Sequence, residues 1–172
     1  ALSGQTKSVY FEALGASNVA GITYDARFIG NSGFGYRVGL GYTFGFNHSS
    51  FIGDSQTTLN GLAIPMAINY LFGERKSHFE LGFGMSNGIY HQTEKNGPIT
   101  WIDANGKVIT YPASETKQTT YAYFFFGDIG YRFQPVTGVM FRVGISPSFN
   151  FKGDHVVNKA FIYPYLSIGY AF

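Results

Sequence analysis

Apolar and polar residues alternate with a period of two along eight separate runs of this chain. In the last run, the positions Leu166, Ile168, Tyr170 and Phe172 are apolar or aromatic, and the residues between them are mostly small or carry a hydroxyl. This period is typical of a β-strand with two unlike faces. The runs cover residues 9–17, 22–28, 34–47, 62–72, 78–86, 121–133, 139–149 and 160–172. The sequence therefore predicts one all-β domain over residues 1–172, an eight-stranded antiparallel up-and-down barrel.

The alternation alone leaves open which face of the strands is inside. A soluble ligand-binding barrel of the lipocalin type would turn its apolar face inward, whereas a transmembrane barrel turns it toward lipid. The apolar positions carry no formal charge, and many are aromatic rings that we expect to be too bulky for a narrow interior. The other face is rich in small residues and holds four of the five arginines but no lysine. These features favour the transmembrane barrel, with a polar lumen.

Composition narrows the class of protein further. The chain has 18 Phe, 13 Tyr and 23 Gly, and only 13% of its residues are charged, against about 25% in ordinary globular domains. No stretch approaches the roughly 18 uninterrupted apolar residues of a membrane helix, so a membrane would be crossed by strands. The absence of cysteine excludes disulfide and thiol chemistry. A net charge of +2 gives no indication of a nucleic-acid partner.

The connections between the runs alternate in length and predict an orientation. Short connections fall at 29–33, 73–77 and 134–138, and long ones at 47–57, 88–119 and 150–160. Only the short connection 17–20 departs from this alternation. Transmembrane barrels have short periplasmic turns and longer extracellular loops. We therefore expect both termini to be periplasmic.

Several segments of the chain resemble small outer-membrane barrels. They are V-Y-F-E-A-L-G, F-G-Y-R-V-G-L-G-Y, F-E-L-G-F-G, G-Y-R-F-Q-P, F-R-V-G-I-S-P and the terminal Y-A-F. In general type the chain resembles the OmpA transmembrane domain and OmpX, and more narrowly a family of small barrels common in the Bacteroidota. The resemblance implies a bacterial outer membrane, contact with its lipid and lipopolysaccharide, and insertion by the barrel-assembly machinery through the last strand. It implies no catalytic residues, metal or cofactor.

Charged residues on the small-residue face form the one constellation with clear chemistry. Four acids and four arginines share this face, and their charges sum to zero. They are Glu12, Asp25, Glu80 and Asp128 with Arg27, Arg37, Arg132 and Arg142. A buried charge without a partner is costly, so we expect forked arginine–carboxylate pairs. An acid–base catalytic set is the alternative, but eight balanced charges in a narrow barrel favour a plugged lumen without a solute pore.

Histidines near the predicted outer loops are the candidates for enzyme chemistry. Some small outer-membrane barrels modify lipid A with a His, a Ser and an acid at the outer rim, and a nucleophile needs its base within hydrogen-bond reach. The candidate groups are His48 with Ser49 and Ser50, His91 with Glu94, and His155 beside Asp154. We place these histidines in loops, where a lone His is usually solvated, and their spacing resembles no metal-ligand motif.

The long connection 88–119 contains a hairpin signal. Two β-prone arms surround A-N-G within P-I-T-W-I-D-A-N-G-K-V-I-T-Y-P, which predicts an extracellular β-hairpin at about 96–113. It carries the only tryptophan, Trp101, and Tyr111. These rings either form a partner-contact surface or pack on the partner strand of the hairpin itself.

Three functions follow from these observations. The first is a non-enzymatic membrane scaffold, or an accessory subunit of a larger outer-membrane complex for export, assembly or nutrient uptake, an assignment made by analogy. The second is a lipid A-modifying enzyme. The third, a soluble lipocalin-like carrier, would require the aromatic rings to face one another inside the barrel.

Overall fold

The computed structural model describes residues 6–17, 19–49, 55–103, 105–149 and 160–172. These residues form ten strands and one 3-10 turn, Gly15–Ser17. The strands are β1 Lys7–Leu14, β2 Ala20–Arg27, β3 Gly33–Ser49, β4 Ser55–Phe72, β5 Ser77–Asn96, β6 Ile99–Ile102, β7 Val108–Tyr111, β8 Ser114–Phe133, β9 Gly138–Phe149 and β10 Ala160–Ala171. Among the described residues, no helix is long and apolar enough to cross a membrane.

Eight of these strands close into a barrel, in the order β1-β10-β9-β8-β5-β4-β3-β2. Every neighbouring pair is antiparallel, and β1 closes the cylinder against β10 from Ser8 opposite Ala171 to Leu14 opposite Tyr165. The predicted eight-stranded up-and-down barrel is therefore confirmed. β6 and β7 pair with each other in a separate two-stranded sheet, which lies within the stretch where the sequence predicts a hairpin.

The two ends of the barrel differ. One end, called here the turn end, carries the connections 28–32, 73–76 and 134–137, and there Lys7 exchanges backbone hydrogen bonds with Phe172. The opposite end, called the hairpin end, carries β6 and β7. The strand ends Ser49, Ser55, Phe149 and Ala160 are also at this end, whereas residues 50–54 and 150–159 of the predicted connections 47–57 and 150–160 lie outside the described residues.

Burial alternates along the barrel strands and shows which face is inside. Phe11 and Ile168 are opposite each other on β1 and β10 and are 48% and 61% exposed. Their neighbours Glu12 and Ser167, also a cross-strand pair, are buried in the lumen. The apolar face therefore points outward and the polar face inward, and the soluble lipocalin-like alternative is wrong. An apolar exterior around a closed, polar interior identifies a transmembrane barrel of the bacterial outer-membrane type, as the sequence predicts.

The lumen also holds large aromatic side chains, contrary to the expectation that rings are too bulky for it. Tyr10, Phe124, Phe126 and Tyr165 are all buried inside. Alanines, Ala16 and Ala67, share the cluster of the two phenylalanines, and glycines on the same face make room for the two tyrosines. A Cβ added at Gly130, for example, would meet the Tyr165 hydroxyl, and one at Gly144 or Gly169 would meet Tyr165 or Tyr10. The interior is filled by large residues alternating with small ones.

Three strands are longer than the apolar pattern indicates. β5 and β8 stay paired as far as Asn96 opposite Ser114, so most of the predicted loop 88–119 is sheet, and β4 starts at Ser55. Apart from Leu59, Ile89 and Tyr90, the residues of the added segments are polar or glycine, so hydrophobic periodicity does not detect these segments. The first strand is shorter than the sequence pattern predicts. The pattern covers residues 9–17, but β1 ends at Leu14, which has a positive φ of 64°, and Gly15 then begins the 3-10 turn.

Candidate functional site

Glu80 on β5 lies at the centre of the charged residues in the lumen. It is fully buried, and two arginines hold it from neighbouring strands. The Nε of Arg132 donates to Glu80 Oε2 at 3.1 Å and its Nη2 to Oε1 at 3.1 Å. Arg142 makes the same forked contact at 2.8 Å and 3.1 Å. Arg132 and Arg142 are direct cross-strand neighbours on β8 and β9, so the carboxylate between them offsets the repulsion of two like charges.

A second group of charges continues from Arg142 across the lumen. Arg142 Nη1 donates to Glu12 Oε2 on β1 at 2.8 Å, and Arg37 Nη1 on β3 donates to the same oxygen at 3.2 Å. Through its other terminal nitrogen, Arg37 pairs with Asp128 on β8. Asp128 Oδ2 also lies 4.0 Å from Arg142 Nη2, which closes a ring of two acids and two arginines.

The third group lies between the first one and the turn end. Asp25 on β2 accepts from Arg27 Nη2 at 2.6 Å and from Arg132 Nη2 at 3.0 Å. The amide of Asn69 on β4 joins this group to the first. Its nitrogen donates to Asp25 and Glu80 at 2.9 Å each, and its oxygen accepts from Arg27 at 2.5 Å.

All eight charged residues predicted from the sequence therefore lie in one continuous set of ion pairs, called here the lumen network. Its members come from six barrel strands, and Asn69 and Ser167 extend its hydrogen bonds to β4 and β10. The formal charge is four minus four, or zero. Removing one partner of a buried pair costs about 3–5 kcal/mol, because the other charge stays buried. The network is therefore a fixed plug of the interior rather than a set of free acids and bases.

Aromatic rings cover the arginines of the network. The Arg142 guanidinium lies 4.8 Å from the ring centroids of both Tyr10 and Tyr165, and that of Arg37 lies 5.2 Å from the centroid of Phe126. Cations over ring faces are attracted by the ring quadrupole, most strongly where water is excluded. These rings stabilise the arginines where carboxylates do not reach.

A small set of neutral polar residues closes the turn end and was not predicted. Arg132 Nη1 donates to Gln134 Oε1 at 3.0 Å, and Gln134 in turn donates to Asn31 Oδ1 at 3.3 Å. Asn31 donates to the backbone oxygen of Arg75 at 2.7 Å, and so joins two turns. Alternation could have placed Asn69 near the network, but it carries no information about turn residues such as Asn31 and Gln134.

The structure changes the interpretation of His91. We expected it in a loop, but it lies on the outer face of β5, opposite Asn60 on β4 and Thr119 on β8. Its Nδ1 is 2.8 Å from the Thr119 Oγ1. Glu94, three residues further on, belongs to the opposite face of the strand, so the structure does not bring this pair together. The side chains of His48 and Ser49, and residues Ser50, Asp154 and His155, lie outside the described part of the structure.

The hairpin presents Trp101 and Tyr111 on one face. Trp101 is opposite Ile109 and Tyr111 is opposite Ile99, and the two aromatic side chains stay 55% and 58% exposed. A role of Trp101 and Tyr111 in binding a partner stays a prediction.

Beside the hairpin, a hydrogen bond from Lys117 and the positive charge of Lys117 lower the pKa of the exposed Glu115 carboxyl.

The last strand presents Leu166, Ile168, Tyr170 and Phe172 on the outer face, each more than half exposed. Their recognition by the assembly machinery stays a prediction. Among the described residues, no three His, Cys, Asp or Glu side chains are grouped so as to hold a metal ion.

Comparison with known proteins gives matches to solved structures alone. No family model matches the chain, and no curated protein matches it. The N-terminal β-barrel domain of Pseudomonas aeruginosa OprF is 13% identical, with a TM-score of 0.45, over 98% of this chain and 96% of that one. Ail, the attachment invasion locus protein of Yersinia pestis, is 11% identical over the same shares, with TM-scores of 0.44 and, in complex with the heparin analogue sucrose octasulfate, 0.41. At these identities and TM-scores, the similarity carries no inference about function.

Proposed function

We propose that the protein is a non-enzymatic scaffold of the bacterial outer membrane, or an accessory subunit of a larger outer-membrane complex, with periplasmic termini. The observation that carries this proposal is the lumen network. Glu80, Arg132 and Arg142 are fully buried and mutually paired, so the interior offers neither a path for solutes nor an open binding site. The surfaces left for function are the lipid-facing wall and the hairpin end.

A plugged lumen predicts the electrical behaviour of the barrel. The purified protein, reconstituted in a planar lipid bilayer, is expected to give no stable single-channel steps, because ions would have to displace paired charges. Conductance of a constant, sizeable step in the wild-type protein would contradict the plug and with it the scaffold.

The hairpin end is the surface that we propose for protein contacts. β5 and β8 continue as a paired ribbon to Asn96 and Ser114, and β6 and β7 extend it. Ile99, Trp101, Ile109 and Tyr111 share one apolar face there, and exposed aromatic residues are favoured anchors at interfaces.

Co-purification from outer membranes in mild detergent tests this surface. Trp101→Ala and Tyr111→Ala are expected to lose a stoichiometric partner that the wild-type chain retains. Thr110→Ala is the matched control, because Thr110 pairs with Thr100 on the other face of the hairpin. Equal recovery of the partner with all three variants, or recovery of the assembly machinery alone, would count against the proposed contact.

A lipid-modifying enzyme is the second candidate, and the placement of His91 is the observation that favours it. His91 and Thr119 form a close pair on the outer wall, near where lipid carbonyls would lie. No carboxylate among the described residues orients this histidine, which a nucleophile–base pair requires. Lipopolysaccharide incubated with the purified barrel is therefore expected to keep its mass in mass spectrometry. Loss of an acyl chain that requires His91 would establish the enzyme instead.

A further inference from the structure

The wall of the barrel is not equally tall on all sides. β1 and β2 have 8 residues each, β9 and β10 have 12, and the other four barrel strands have 17 to 20. Each of the eight strands has one end at the turn end, so its length gives the height of the wall. One residue of a strand tilted by about 40° adds about 2.5 Å of height. β1 and β2 therefore rise about 18 Å, β9 and β10 about 28 Å, and the others about 40 Å or more.

The sector of β1 and β2 is lower than the apolar band of an outer-membrane barrel, which is about 25 Å tall. On other strands, outward-facing aromatic rings mark the top of this band. Tyr42 lies nine residues above Gly33 on β3, and Phe149 lies eleven above Gly138 on β9, at about 22 Å and 27 Å. β1 ends at Leu14, about 7 Å below the top of the band, and carries no such ring there.

The connection between β1 and β2 does not supply the missing height, because it turns inward. Gly15 and Ala16 are buried, and Ala16 packs with Phe124 and Phe126 in the upper part of the lumen. Ser86 Oγ donates to the backbone oxygen of Ala16 at 3.2 Å. The 3-10 turn therefore covers the lumen from inside. It leaves a gap in the wall above Gly15–Ser17, between β10 and β3, called here the notch.

Two strand edges border the notch. β10 pairs with β1 only as far as Tyr165, and β3 pairs with β2 only as far as Tyr42. Beyond these residues, none of the described strands pairs with β10 at 160–164 or with β3 at 43–49 on the notch side. The β10 segment lies about 17–28 Å above the turn end, within the upper part of the band. Open sheet edges are not found in hydrocarbon, because nothing there pairs with their backbone groups.

The energies favour a thinner bilayer at the notch. Hydrocarbon at its full height would cover both edges and leave several backbone groups unpaired, at a large cost for each group. Thinning by about 7 Å brings the headgroups down to the top of β1 and β2, and it costs little for each ångström of mismatch. Water and headgroups then pair with the backbone groups of both edges.

We infer that the barrel thins the outer leaflet beside β1 and β2, and that lipid headgroups and water cover the notch. This is a membrane-deforming activity, which a passive scaffold or subunit lacks. The inference rests on the proposed function only for its assignment to the outer leaflet, since that requires the hairpin end to face outward. Around the rest of the barrel, the strands reach the top of the band, so we expect no thinning there.

Fluorescence quenching at single cysteines tests the inference, because the chain has no cysteine of its own. Ile162→Cys carries a fluorophore on β10 beside the notch, and Leu62→Cys and Ile64→Cys are the matched controls on β4, which has β3 and β5 on its two sides. Ile162 lies nine residues above Ala171, and the controls lie ten and eight above Phe72, so they bracket its height. The three native side chains are 60%, 56% and 49% exposed.

The labelled barrels are folded into phosphatidylcholine nanodiscs that contain lipids with a nitroxide on the headgroup or deep in the acyl chain. Folding of each variant is first checked by its heat-modifiable gel mobility. Comparison of the two quenchers gives the depth of each fluorophore. In an evenly thick bilayer, the depth at position 162 would lie midway between those at 62 and 64. With thinning, we expect it to be about 7 Å shallower than that midpoint.

A depth at position 162 between the two control depths would overturn the inference. Weak quenching by both lipids at position 162 alone would also overturn it, because protein would then cover the notch. The measurement does not depend on which way the barrel faces in the nanodisc, nor on a sealed lumen or a bound partner. Failure of the thinning is therefore distinguishable from failure of the scaffold, which the conductance and co-purification experiments test.

Discussion

The substitution Glu80→Gln tests the lumen network most directly. It keeps the size of the side chain and one oxygen, but it removes one negative charge and replaces an acceptor with a donor. Four forked hydrogen bonds from Arg132 and Arg142 converge on the two oxygens of Glu80, and Asn69 adds a fifth. In the variant, an amide N–H would face guanidinium N–H groups. The sealed interior would then hold four arginines and three acids, a net charge of +1.

The size of the effect follows from two independent considerations. Breaking a buried pair by removing one partner costs about 3–5 kcal/mol. Hydrogen bonds to charged groups contribute about 1.5–3 kcal/mol each, and losing the two that end on one oxygen gives about 3–6 kcal/mol. We therefore expect Glu80→Gln to lower the free energy of unfolding by about 3–5 kcal/mol, a change of two to nearly four orders of magnitude in the folding equilibrium.

Urea unfolding of the barrel in lipid vesicles, followed by far-UV circular dichroism, measures this change. Glu115→Gln is the control, because Glu115 also pairs with a cation, Lys117, at 2.9 Å but in solvent, and no measurable loss is expected. The double variant Glu80→Gln/Arg142→Gln restores neutrality, so its cost should be clearly below the sum of the two single costs. A Glu80→Gln variant as stable as Glu115→Gln, or a double variant that shows simple additivity, would refute the reasoning.

Two further substitutions test the filling of the lumen and the lipid-facing wall. Gly144→Ala is expected to cost about 1–3 kcal/mol, because its Cβ would press against the backbone oxygen of Ile129 and lie 2.7 Å from both the Gly130 Cα and the Tyr165 hydroxyl oxygen. Gly45→Ala, with open space around it, should be much milder in the same unfolding experiment. Phe83→Arg, about 10 Å above the turn end on the outer wall, is expected to lower the free energy of unfolding in vesicles by about 2–4 kcal/mol. Val136→Arg, in the β8–β9 turn, should lower it by at most about 1 kcal/mol, and equal costs would contradict a bilayer around the barrel.

The sequence predicts the faces of the strands well, because a period of two is a local property. Glu12 and Arg142 are 130 residues apart, yet alternation places both in the lumen, where they form an ion pair. It cannot say which arginine meets which acid, since that depends on the register of all the strands between them. For the same reason Asn69, which joins Asp25 to Glu80, could be assigned to the inner face but not to the network.

Hydrophobic periodicity does not predict where the strands end or which aromatic rings lie in the lumen. Beyond the bilayer a strand meets water on both faces, so it needs no apolar alternation, and β5 continues past His91 to Asn96 without that signal. The buried Phe124 and Phe126 were unexpected because an average interior diameter says little about local space. The small side chains of Ala16 and Ala67, which share their cluster, leave that space.

The lumen network also gives a physical reason why the barrel closes in one register. A slip of β1 by one residue against β10 would move Glu12 to the lipid face and bring Phe11 inside, while Ser167 and Ile168 on β10 keep their faces. An arginine such as Arg142 at the bilayer midplane costs about 2–4 kcal/mol, and a few such costs equal the whole stability of a typical domain, about 5–15 kcal/mol. Replacing the four acids and four arginines with apolar residues of similar volume can preserve stability, because buried ion pairs carry a large desolvation cost. In such a variant no charged side chain would be turned toward lipid when a strand slips, so slipped pairings would no longer be penalised. We therefore expect it to fold into more than one gel-resolved species, and a single sharp species would show that turns and glycines alone determine the register.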